Sequence, residues 1–190
     1  MIAERLLADP VYDSNPPMQN IEFKAELRDP AAARQQCKVF GAHHIGDLQQ
    51  TDTYYKLTDG RLKKREAPGE PIEWIYYHRN DSVKPRMSNY SLLTDDQARR
   101  RWGTKSLRQW LIVVKKRELW MIDNVRIHLD EVEQLGEFIE FEAIVSKNRD
   151  VKECHLAVNH LREVFGPVMG EMVAPSYCDL MAQVESARQQ

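Results

Sequence analysis

Residues 125–144 read VRIHLDEVEQLGEFIEFEAI. Arg126, His128 and Asp130 alternate with Val125, Ile127 and Leu129, and Glu140 and Glu142 alternate with Ile139, Phe141 and Ala143. Successive side chains of a strand point to opposite faces, so each run predicts a strand with one charged and one apolar face. Glu140 and Glu142 then point the same way. Two like charges on one face repel, and burial sharpens the repulsion. The charged face therefore needs positive charge opposite it.

The same alternation recurs along the chain. NIEFKAEL (20–27) places Glu22, Lys24 and Glu26 on one face. QTDTYYKL (50–57) and RLKKRE (61–66) flank Asp59-Gly60, a strong hairpin signal. Arg61, Lys63 and Arg65 share a face of the second run. IEWIYYHR (72–79) puts Tyr77 and Arg79 in phase, 86–92 puts Arg86 and Ser88 in phase, and LIVVKKRELW (111–120) puts Lys115 and Arg117 in phase. Three helices are expected. One follows Asp29-Pro30 and stops at Gly41, one opens at Thr94-Asp95-Asp96-Gln97 and resumes past Gly103 to about Gln109, and one spans 151–165. A solvated polar face explains any single strand. Repeated across strands, the pattern predicts an α+β fold: an eight-stranded antiparallel β-barrel with a charged interior, covered outside by helices. Residues 1–19 read as an extension, 20–181 as the domain and 182–190 as a tail.

Bulk properties exclude several classes. The 190 residues suit one domain. Against 29 acidic side chains stand 27 basic ones, which makes no case for nucleic acid or an acidic membrane surface. The basic residues also share strand phase with the carboxylates. No apolar run reaches membrane-spanning length, and MIAERLLADP does not read as a signal peptide. The three cysteines lack C-x-x-C spacing, as expected of a reduced, cytoplasmic protein. His43-His44 reads as a turn or helix end rather than a metal site.

NIEFKAEL, QTDTYYKLTDGRLKKRE, IYYHRND, KKRELW, VRIHLDEVEQLGEFIEFEAI and PSYCDLM follow one another in an order that resembles the CYTH superfamily, the triphosphate tunnel metalloenzymes. The similarity spans about residues 20–181 and is greatest to the branch named for class IV adenylate cyclases. Thiamine and inorganic triphosphatases are relatives. The resemblance implies a tunnel that binds a triphosphate (ATP, tripolyphosphate or another) with Mg2+ or Mn2+. Glu22 and Lys24 match the second glutamate and the lysine of the family's E-x-E-x-K motif, and Asn20 replaces the first glutamate. Glu22, Glu140 and Glu142 are then the expected metal ligands. Lys63, Arg65, Arg79, Lys115 and Arg117 match basic phosphate ligands, and Arg61 and Arg126 join them by strand phase. Lys24 and Asp130 are the expected catalytic residues.

These residues suit that chemistry. Carboxylate oxygens hold hard divalent ions, and lysine and arginine clamp phosphate oxygens. Two reactions are compatible: cyclisation of ATP to cyclic AMP and pyrophosphate, or hydrolysis of an inorganic or organic triphosphate. A non-catalytic polyphosphate or nucleotide binder is the alternative of another class. Trp74 or Tyr77 could stack on a base at a tunnel end. Neither nucleic acid nor a membrane is expected as a partner, and a homodimer is left open.

Overall fold

A computed structural model describes residues 18–103, 105 and 107–188. Expectations for residues 1–17 lie outside this range. Strands β1 (Met18–Leu27), β2 (His43–Tyr55), β3 (Arg61–Glu66), β4 (Glu73–Arg79), β5 (Arg86–Thr94), β6 (Gln109–Ile122), β7 (Val125–Val132) and β8 (Gly136–Ile144) pair antiparallel in the order β5-β4-β3-β2-β6-β7-β8-β1. Pairing of β5 with β1, from Met18 opposite Tyr90 to Glu22 opposite Arg86, closes the barrel. Closure leaves none of the eight strands with a free edge. A short ninth strand, β9 (Met169–Met172), adds to β1 outside the ring.

Four helices lie outside the barrel: α1 (Pro30–Val39), α2 (Asp95–Trp102), α3 (Val151–Phe165) and α4 (Tyr177–Arg188). Local chemistry sets their starts. Asp29 accepts from the Ala32 amide ahead of Pro30, and reciprocal capping boxes open α2 (Thr94, Gln97) and α3 (Asp150, Glu153). The Asp59-Gly60 turn needs its glycine. Gly60 has φ of 69°, and a Cβ there would come within 2.7 Å of Tyr76 and 2.8 Å of His78.

The alternation divides into two surfaces. The outward residues Ile21, Phe23, Ala25, Ile127, Leu129, Ile139, Phe141 and Ala143 form the main core with Cys37 of α1 and with Cys154, Val158, Leu161 and Phe165 of α3. Phe141 has no solvent exposure and lies between Phe23 (centroids 6.0 Å apart) and Phe165 (5.4 Å). Under α2, Ala98 packs on the outward Leu62, Trp74 and Leu93. α4 packs differently. Its Tyr177, Cys178 and Met181 meet Tyr54, Leu111, Val113, Val132 and Phe138, which share phase with the interior charges. It therefore stoppers one end of the barrel.

Four local expectations change. His43 and His44 open β2 rather than ending a helix, so β2 begins well before Gln50. Gln109 opens β6 instead of closing a helix. Neither β9 nor α4 is visible as alternation, and α4 runs past residue 181 to Arg188. Among the described residues, no helix is long and apolar enough to cross a membrane.

Phe141→Ala should lower the unfolding free energy by about 3–5 kcal/mol, because it removes a fully buried ring packed between Phe23 and Phe165. Urea denaturation of the variant measures this.

Candidate active site

The barrel encloses a cavity of about 350 Å3. Seven cationic side chains line it: Lys24, Lys63, Arg65, Arg79, Lys115, Arg117 and Arg126. Glu22, Glu73, Glu140 and Glu142 are the lining carboxylates. The cations come from five different strands, so only closure of the ring brings them together.

The charges are held in three groups. In the first, Asp52 of β2 is fully buried and receives both Nε (2.8 Å) and Nη2 (2.9 Å) of Arg65, Nζ of Lys115 (2.7 Å) and Nζ of Lys63 (3.2 Å). Burial alone would raise its pKa, but Arg65, Lys115 and Lys63 hold it well below the usual carboxylate range. The cost falls on the lysines. Burial beside Arg65 and Arg117, only partly offset by Asp52, brings Lys115 down to about 7.

In the second group, Arg117 donates Nε and Nη2 to Asp130 (2.6 and 2.5 Å) and Nη2 also to Glu140 (2.9 Å). Tyr177 of α4 donates its hydroxyl to Asp130 at 2.9 Å. Both Asp130 oxygens are thus occupied, and the residue lies behind the cavity wall rather than on it. Its position suits aiming Arg117 rather than touching a reacting atom. In the third group, Glu22 accepts from Arg79 and from Arg86 Nε (3.0 Å). The Nε of Arg79 and the Nη2 of Arg86 remain buried without partners.

Glu22 faces Glu142, and Lys24 faces Glu140, across the β1–β8 pairing. Across β7–β8, Arg126 faces Glu142 and His128 faces Glu140. Atoms of His128, Glu140 and Glu142 that could ligate a metal lie within 4.8 Å of one another. His128 Nδ1 is buried without a hydrogen bond, 3.5 Å from Glu140 Oε2 and 4.0 Å from Glu142 Oε1. An unsatisfied imidazole nitrogen between two carboxylates fits a divalent ion. Burial pushes Glu140 up, but His128, Lys24 and Arg117 hold it well below the ordinary range, so it presents a charged ligand. Glu22, expected in this group, is turned toward Arg79 and Arg86 instead.

Lys24 sits toward the stoppered end. Its Nζ donates to the Pro175 carbonyl (2.6 Å), lies 4.3 Å from the Tyr177 ring centroid and 3.9 Å from Glu140 Oε1. Burial lowers it to about 8. Arg61 is placed elsewhere. It does not line the cavity and pairs with Asp81 and Asp179 (3.2 Å each). Trp74 is also outside the tunnel, packed under α2 with its Nε1 donating to Asp95, whereas Tyr77 lines the cavity.

Four residues of the site have no assigned role in the sequence reading, among them His128, whose strand phase is visible but whose place in the metal group is not. Asp52 carries the needed signal, since it shares phase with Gln50 and Tyr54 and pairs with Arg65 across the predicted hairpin. Arg86 was in phase with Ser88 but was given no role. Tyr177 follows no alternating run, and nothing local marks it.

The buried lysines make stability depend on pH. A lysine whose folded pKa lies below its unfolded value costs the fold its full charging penalty below the folded pKa. The penalty fades as pH rises toward the unfolded value. The ligand-free protein should therefore gain stability from about pH 7 to pH 9, above which the buried thiols, pushed up by burial from 9.0, work the other way. Lys115→Met should reduce the gain. Urea midpoints across this range measure it, and a wild-type midpoint that falls from pH 7 would contradict the assignment.

The comparisons agree with this architecture. Residues 18–164 match the CYTH domain family. A Pyrococcus horikoshii protein superposes with a TM-score of 0.68 at 19% identity, covering 85% of this chain and 98% of its own. A candidate adenylate cyclase from Vibrio parahaemolyticus gives 0.65 at 16% identity, over 86% and 97%. A candidate adenylyl cyclase from Hippeastrum, in which triphosphatase activity dominates, gives 0.53 at 12% identity, over 83% and 91%. No significant match was found among curated protein sequences. With the family match covering most of its length and the closed eight-stranded tunnel it folds into, the chain belongs to the CYTH domain family.

Proposed function

We propose that the protein is a divalent-metal-dependent enzyme that breaks a phosphoanhydride bond of a triphosphate held in the tunnel. One observation carries this reading: a cavity stoppered at one end, in which an excess of cations and the His128, Glu140 and Glu142 group share the same walls. Even with Asp52 and Asp130 counted, cations outnumber carboxylates. A polyanion supplies the missing negative charge.

In this reading Lys63, Arg65, Arg79, Lys115 and Arg117 clamp phosphate oxygens, joined by Arg126 near the mouth. Arg86 completes the set through its unpartnered Nη2. Asp52 and Asp130 aim the clamps. His128, Glu140 and Glu142 hold Mg2+ or Mn2+, and the imidazole favours Mn2+, since Mg2+ prefers oxygen ligands. The ion supplies charge neutralisation on the phosphate oxygens. Lys24, brought down to about 8 by burial, holds or releases a proton beside the phosphate closest to the stopper.

The cradle serves two displacements. In the cyclase form the ribose 3'-hydroxyl of ATP bonds to the α-phosphorus, the α–β bridge breaks, and pyrophosphate leaves as the hydroxyl proton is accepted. In the hydrolase form water bonds to the terminal phosphorus, the β–γ bridge breaks, the diphosphate end leaves, and the attacked phosphorus departs as orthophosphate once the water proton is accepted. Similarity to the cyclase branch favours the first. Both forms need a proton acceptor, and Lys24, lowered to about 8 by burial, is placed to serve in either.

Incubation with ATP or tripolyphosphate and Mn2+ or Mg2+, with products resolved, tests the proposal. Cyclic AMP with equal pyrophosphate marks the cyclase, and orthophosphate marks the hydrolase. Glu140→Gln and Glu142→Gln should each lower metal-dependent turnover by about 100-fold or more while the fold is kept. Binding without any product in wild type would leave a polyphosphate binder.

A further inference from the structure

We infer that the protein carries a second metal site, outside the tunnel, where His44, Asp47 and Glu118 hold a divalent ion of the zinc type. The site is independent of the triphosphate reading.

An irregularity in β2 builds the group. Residues three apart in a regular strand point to opposite faces, so His44 and Asp47 would diverge. The β2–β6 register shifts between His44 and Gly46. His44 then lies opposite Trp120 and Asp47 opposite Glu118. Trp120 and Glu118 are two apart on β6 and share its outer face. The bulge therefore turns His44 and Asp47 onto that same face and leaves Ile45 59% exposed. Bulges re-aim side chains, and this one re-aims an imidazole and a carboxylate toward a second carboxylate. Atoms of His44, Asp47 and Glu118 that could ligate a metal lie within 4.8 Å of one another. The His43-His44 pair gives no hint of this in the sequence, because Glu118 arrives from a different strand.

The surroundings suit an ion. The group borders an outer groove of about 800 Å3 that Arg34 of α1 and Trp120 also line. His44 Nε2 lies 2.9 Å from Asp47 Oδ1, and the imidazole is 4.9 Å from the Trp120 ring. Arg34 donates its Nε to Glu118 Oε1 at 2.7 Å, which fixes that carboxylate as outer partners fix metal ligands. Trp120 is 5% exposed, and its Nε1 is buried without an acceptor. A donor left unpaired beside the imidazole implies an acceptor that arrives with a ligand, such as water carried by an ion. The donor set selects the ion. Mg2+ and Ca2+ prefer oxygen alone, whereas Zn2+ takes imidazole and carboxylates together and leaves a fourth position open to the groove. Bound there, it ties the bulged start of β2 to β6 and, through Arg34, to α1.

The test is Zn2+ binding to the full, untagged chain carrying Glu140→Gln and Glu142→Gln, which dismantle the tunnel's metal group. Competition with a chromophoric chelator measures it. This chain should bind Zn2+ at a single site. Adding His44→Ala should weaken binding by about 100-fold or more, because a direct ligand is lost. Asp47→Asn should act in the same direction. Both side chains are solvent-exposed, so the fold is kept. His43→Ala should leave binding unchanged, since His43 lies opposite Met121 on the other face of β2. Absence of Zn2+ binding in the Glu140→Gln, Glu142→Gln chain would overturn the inference. So would binding that survives both His44→Ala and Asp47→Asn, which would place the ion elsewhere.

Discussion

Asp52 is the point on which the charged interior turns. It is fully buried, yet it receives Arg65, Lys63 and Lys115 from the two strands that flank β2. A buried charge is tolerated only when it is paired and hydrogen-bonded. The Arg117–Asp130 and Arg79–Glu22 pairs apply the same rule on the other walls. Asp52 and Asp130 take their cations from neighbouring strands, whereas Glu22 meets Arg79 and Arg86 only because β5 closes onto β1. An open sheet would leave Glu22 without them.

The pairing is deliberately incomplete in one sense: cations exceed carboxylates, and several polar atoms lack partners. Arg79 Nε, Arg86 Nη2, His128 Nδ1, Asn20 Oδ1 and Gln50 Oε1 are all buried without hydrogen bonds. The first two are donors suited to phosphate, the third is a metal-type ligand, and the last two are acceptors. The amides are interleaved with the charged groups: Gln50 lies opposite Lys115, and Asn20 shares a strand face with Glu22. Preformed but unsatisfied groups of this kind store little reorganisation cost at the moment of binding.

Much of this was legible in the sequence, for a physical reason. A strand with one packed and one charged face writes its environment as period-two alternation. The eight strands, their inward faces and most of the cationic lining follow from that single rule, as Glu22 with Lys24 and Lys115 with Arg117 illustrate. Three-dimensional partners are less visible. Asp130 reads as catalytic by position, yet Arg117 and Tyr177 consume both its oxygens. Arg61 has the right phase but sits where the chain leaves the barrel and meets Asp81 and Asp179 instead. The stopper was hidden because α4 has no strong apolar periodicity, and it buries Tyr177, Cys178 and Met181 only once the barrel end exists.

The central claim is that the tunnel interior is built around a triphosphate and a divalent ion. A crystal structure of the protein grown with tripolyphosphate and Mn2+ tests it most directly. The account predicts the phosphates inside the barrel, within hydrogen-bond distance of Lys63, Arg65 and Arg117, and anomalous Mn2+ density among His128, Glu140 and Glu142. Tripolyphosphate bound only on the outer surface, or Mn2+ held away from Glu140 and Glu142, would contradict it.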